Sequence, residues 1–72
     1  MAIGARKQPL YDQLVDILTE KIDHEYRAGD MIPSERELSE CYGLSRTTVR
    51  LALQELERSG LVVRQHGRGT FV

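Results

Sequence analysis

Between positions 45 and 50 the chain reads Ser45-Arg46-Thr47-Thr48-Val49-Arg50, hydroxyls and permanent cations broken by one apolar residue. Small hydroxyl side chains let a helix end approach another molecule closely, and the free backbone N–H groups of such an end favour phosphate. Arg46 and Arg50 stand four residues apart, so on a helix they share one outer face. A guanidinium there can fork onto a guanine edge or onto a phosphate. A second polar cluster, His66-Gly67-Arg68-Gly69, offers a flexible tip with one permanent charge and one titratable ring. The negative potential of a DNA minor groove attracts such groups. Arg64 precedes this tip, within reach of a phosphate or simply of solvent. The alternative is plainer: a helix cap followed by a solvated face, and a glycine turn with incidental polar residues.

Other reactive residues do not assemble into a site. His24 and His66 lie far apart in sequence, with no cysteine or carboxylate at a metal-ligand spacing. His24 reads as a solvated helix residue. Cys41 could be imagined with either histidine as a nucleophile pair, but no strained turn or third orienting group supports it. It reads instead as a small, partly buried apolar residue. Asp12, Asp16 and Glu20 look like the acidic side of a helix, and there is no glycine-rich phosphate loop. No catalytic residue, metal site or cofactor is expected.

The chain has 72 residues and a formal net charge of −1. That length permits one domain with one small core, and leaves little room for an enclosed catalytic pocket. A single cysteine excludes an internal disulfide. No apolar run approaches the roughly 20 residues that cross a bilayer, and Met1 to Gln8 lacks the apolar stretch of a secretory signal. A small cytoplasmic module with no membrane partner is expected. The near-neutral total hides an asymmetry. Residues 1–44 carry five basic and nine acidic side chains, whereas residues 45–72 carry five arginines against Glu55 and Glu57. One face can therefore attract an anion while the rest repels it.

Three helices must position these groups. From Gln8 to Arg27 the apolar residues Leu10, Leu14, Ile17, Leu18, Ile22 and Tyr26 recur at helical spacing, with Pro9 suited to the first helical position. Ala28 to Pro33 reads as a linker. Ser34-Glu35-Arg36-Glu37 has the Ser-x-x-Glu pattern of a capping box. The helix it opens places Leu38, Cys41 and Tyr42 on one face and ends at Gly43. Ser45 is the next N-cap, and a third helix runs from Arg46 to Arg58 with Val49, Ala52, Leu53 and Leu56 inward. Leu61 to Gln65 reads as a strand, residues 66–69 as a turn and Thr70 to Val72 as a returning strand. The expected core is Leu14, Ile17, Leu18, Ile22, Leu38, Leu44, Val49, Leu53, Leu56, Leu61 and Val63. Two short helices joined by Gly43-Leu44 match a helix-turn-helix.

Taken in order, Pro33 to Leu38, Gly43 to Arg50, Gly60-Leu61 and Gly67 to Val72 resemble the winged helix-turn-helix of the GntR transcription regulators, over about residues 8–72. The Arg-Gly-Thr-Phe-Val ending is most similar to the HutC-type branch. The resemblance implies a mainly α fold with a two-stranded antiparallel wing, and a bacterial, nucleoid-associated operator-binding domain. Residues 1–7 would then be a flexible tail. It implies that Arg36, Ser45, Arg46, Thr47, Thr48 and Arg50 touch DNA, with His66, Gly67 and Arg68 at the wing tip. It also implies a ligand-responsive repressor whose C-terminal domain, not present here, binds a small-molecule effector and supplies the homodimer contact. The partner would be a pseudo-palindromic operator. Because the apolar stripes are all needed for one core, the isolated chain is expected to be mostly monomeric without DNA. The main rival is a winged-helix module that binds protein, disfavoured by the Arg/Thr-rich outer face of the third helix. A small enzyme is a remote third reading.

Overall fold

The computed structural model describes residues 9–72. The expected tail at residues 1–7 lies outside them. Three helices, α1 (Leu10–Glu25), α2 (Glu35–Tyr42) and α3 (Arg46–Arg58), precede two strands, β1 (Val63–Gln65) and β2 (Gly69–Phe71). The strands pair antiparallel, with Val63 opposite Phe71, Arg64 opposite Thr70 and Gln65 opposite Gly69. This is the winged helix-turn-helix arrangement.

Each helix boundary has a local cause. Pro9 is the N-cap of α1 rather than its first turn, a shift within the usual uncertainty of helix ends. At α2 the capping box forms in full: the Ser34 hydroxyl accepts from Glu37 N–H at 3.1 Å, and the Glu37 carboxylate accepts from Ser34 N–H at 2.9 Å. Such a cap is worth about 1 kcal/mol. Gly43 closes α2 at φ 65°, a left-handed geometry that a side chain would disfavour. The following residue, Leu44, is buried, and Ser39 holds both sides of its backbone. Leu44 N–H donates to the Ser39 carbonyl, and the Ser39 hydroxyl donates to the Leu44 carbonyl. That double tether sets how α3 leaves α2.

Helix α3 is central, packing against both α1 and α2. Val49, Ala52, Leu53 and Leu56 meet Leu14, Leu18 and Ile22 of α1 and Leu38 of α2 in one buried cluster. Four features depart from expectation. Val62 is buried, whereas Leu61 and Val63 are 36% and 56% exposed. The chain leaves α3 through a turn in which Leu61 N–H still bonds to the Leu56 carbonyl, so β1 begins later than expected. In an extended chain a slip of one residue exchanges the inner and outer faces. Ile17 is only half-buried, while Gln13 on the same helix is 3% exposed. Cys41 is exposed rather than partly buried.

The fourth departure concerns the stretch read as a linker. Met31 bridges Phe71, and backbone hydrogen bonds run from Gly29 N–H to the Val72 carbonyl, Val72 N–H to the Asp30 carbonyl and Ile32 N–H to the Thr70 carbonyl. The segment therefore covers the free edge of β2 and sends Ile32, 3% exposed, into the core. An isolated two-stranded ribbon is marginal in water. Pairing with residues 29–32 anchors the base of the hairpin while its tip projects.

Candidate nucleic-acid interface

The N-terminal turn of α3 is built on Ser45. Its hydroxyl accepts from Thr48 N–H at 3.1 Å and lies 2.9 Å from the Thr48 hydroxyl. Thr48 is half-buried in this cap, where its N–H and its hydroxyl both meet the Ser45 hydroxyl. Arg46, Thr47 and Arg50 are exposed beside it, and Val49 is fully buried beneath. The expected division into an outer Arg/Thr face and an inner apolar face holds.

Arg36, on the exposed side of α2, pairs with Glu40 one turn on at 3.3 Å, with both side chains largely in solvent. Such a pair contributes little and yields readily to a phosphate. The expected wing-tip residues His66, Gly67 and Arg68 are all exposed, with Arg68 N–H donating to the Gln65 carbonyl to close the turn. An open groove separates the start of α2 from the wing, lined among others by Ser34, Glu35, Arg64, His66 and Arg68. No hydrogen bond or ion pair among the described residues joins Arg36 or Arg46 to the wing.

One residue does tie the parts together, and residue types alone did not single it out. Glu35, the first residue of α2, receives Arg50 of α3 through two hydrogen bonds, Nε to Oε2 at 3.2 Å and Nη2 to Oε1 at 2.9 Å. The Arg64 guanidinium of β1 stands 3.9 Å from the same carboxylate. The Arg50 hydrogen bonds hold the Glu35 carboxyl below the usual carboxylate range, against the opposing effect of its partial burial, with the charges of Arg50, Arg64 and Arg46 adding to the lowering. Arg64 is thus partly engaged within the protein rather than simply solvated. In the sequence Glu35 lies inside the Ser34–Glu37 capping box. Its neighbours arrive from 15 and 29 positions away, beyond what helical periodicity reports.

His24 and Cys41 line a shallow depression between α1 and α2 with Ile17, Lys21 and Tyr42. No hydrogen bond among the described residues links them, and no cluster of three or more metal-ligating side chains occurs among those residues.

Comparison with known proteins agrees with this geometry. The family model of bacterial regulatory proteins, gntR family, matches residues 10–72. The HTH-type transcriptional repressor NagR of Bacillus subtilis is 48% identical over 65 residues, covering 89% of this chain and 27% of that protein. The histidine utilization repressor of Klebsiella aerogenes is 46% identical over the same shares. Among solved structures, AraR(DBD) in complex with operator ORR3 superposes with a TM-score of 0.89 at 34% identity, covering 93% of this chain and 82% of that one. The chain spans about a quarter of the length of the curated relatives it matches.

Proposed function

The chain belongs to the gntR family of bacterial regulatory proteins, and from that premise we propose that it binds double-stranded DNA sequence-specifically and regulates transcription. The observation that carries this reading is the outer face of α3. Arg46, Thr47 and Arg50 stand exposed at a capped helix end whose opposite face is locked in the core. The solved AraR(DBD)–operator complex, similar in fold and sequence, supports it. In this reading α3 enters the major groove, and Arg46 or Arg50 forks onto a guanine. Arg36, Ser45, Thr47 and Thr48 hold or approach the backbone, and His66, Gly67 and Arg68 reach the neighbouring minor groove. The function is regulatory rather than enzymatic, and the site of action is the cytoplasm. No helix among the described residues is long and apolar enough to cross a membrane.

Direct reading and backbone holding separate by substitution. Arg46→Ala or Arg50→Ala, whichever reads a base, costs roughly 1–3 kcal/mol on a preferred duplex and relaxes sequence preference. Arg68→Ala weakens binding more evenly across sequences. Selection of duplexes from a random pool, followed by titration of each variant, measures both effects. Equal losses for all three variants on every duplex would remove α3 as the reading element.

The resemblance extends the proposal to a longer regulator. Residues 8–72 are its DNA-binding domain, and a C-terminal domain binds a small effector and holds the homodimer on a pseudo-palindromic operator, most simply as a repressor. One such domain presents few side chains to a duplex, whereas two related by a twofold axis roughly square the discrimination. The 72-residue chain alone is then expected to sediment as a monomer at micromolar concentration and to pair on a palindromic duplex. A stable dimer without DNA would point instead to an interface on α1.

A further inference from the structure

Glu35 has the wrong sign for a surface that meets a polyanion, yet it sits between two of that surface's cations. Its side chain is 20% exposed, against 53% for Arg50. The Arg50 half of the pair is screened by solvent, so the pair adds only modestly to stability, and holding the fold together is an incomplete reason for this arrangement. A carboxylate–guanidinium fork, by contrast, constrains the plane of the guanidinium at two points. The fork occupies Nε and one Nη2 proton of Arg50. Three of the five guanidinium N–H donors are left for another partner. The same carboxylate draws Arg64 of β1 from 3.9 Å, so α2, α3 and the wing meet at a single charge.

We infer that Glu35 is a specificity-determining positioning residue: by forking Arg50 and drawing in Arg64 it orients the Arg50 guanidinium toward a base edge and withholds it from unselective phosphate capture. The inference rests on the DNA-binding reading above. Two physical effects work in one direction. Orienting Arg50 before binding reduces the rotamer freedom lost when a base is engaged. Neutralising its charge weakens the attraction to any phosphate, so random duplexes gain less than the preferred one.

The test compares the wild-type chain, Glu35→Gln, Glu35→Asp, Arg50→Ala and Glu35→Gln/Arg50→Ala. Each is titrated against a preferred duplex selected from a random pool and against a random duplex, at several salt concentrations, with thermal melting in parallel. Glu35→Gln is expected to tighten binding to random duplex, to steepen its salt dependence by about one phosphate equivalent and to lower the preferred-to-random ratio by about tenfold. Glu35→Asp keeps the charge at the α2 N-terminus but is one methylene too short to fork Arg50. It is expected to lose discrimination as well, while melting like the wild type. With Arg50 already removed, Glu35→Gln should leave the ratio unchanged.

An unchanged ratio in both Glu35 single variants overturns the inference. So does an equal fall in ratio with and without Arg50, which would make Glu35 a direct reader of a base. A wild-type chain that binds no duplex overturns the DNA-binding reading itself. If Glu35→Gln fails to fold, Glu35→Asp carries the comparison alone.

Discussion

Leu53→Ala is expected to leave a large fraction of the chain unfolded at room temperature. Leu53 is 1% exposed, on the helix that packs against both of its neighbours. Truncating a leucine in such a site removes its transfer free energy and opens a cavity, at a cost of about 2–5 kcal/mol. A core of this size rarely supplies more than about 3–5 kcal/mol in total, so the loss is comparable with the whole stability. Leu61→Ala provides the contrast. Leu61 shares the residue type but is 36% exposed at the exit from α3, and its truncation should cost less than about 1 kcal/mol. Urea denaturation of the two variants measures the difference. Equal losses would mean that Leu61 belongs to the core and that the wing register differs from the one described.

The affinity for duplex DNA is expected to fall by about two to three orders of magnitude between ~50 and ~200 mM salt. Arg36, Arg46, Arg50, Arg64 and Arg68 are the arginines at the start of α2, in the first half of α3 and on the wing. If roughly four or five of them neutralise phosphates, the slope of log affinity on log salt is about −3.6 to −4.5 per domain. Arg50 and Arg64 already face Glu35, which favours the shallow end of that range. Fluorescence anisotropy with a labelled duplex across the salt series gives the slope directly. A flat dependence, or no binding at the low-salt end, would remove electrostatic docking on DNA from consideration.

Much of this molecule is local in origin and therefore visible in the chain. The Ser34–Glu37 box, Gly43 and the Ser45 cap act within four residues of themselves, so residue types alone mark where α2 and α3 begin and where α2 ends. The apolar stripe of α3 repeats at helical spacing, which is why its outer Arg/Thr face could be identified before any packing was known. The same holds for the glycine-bounded wing tip.

Three features depend on which distant segments meet. The inward residue of the wing is Val62 rather than Leu61 or Val63, because three consecutive apolar residues carry no alternation to set a phase, and the turn out of α3 sets it instead. The segment at residues 29–32 becomes an edge partner of β2, because backbone hydrogen bonds need no particular side chains and leave no pattern to read. Glu35 becomes the junction of α2, α3 and the wing, because carboxylate and guanidinium find each other only after the helix-turn-helix angle and the strand register are set. Local capping and periodicity are short-range and travel with the residues. Register, edge pairing and long-range charge pairing arise when elements pack, and they arrange the arginines that residue types could only nominate.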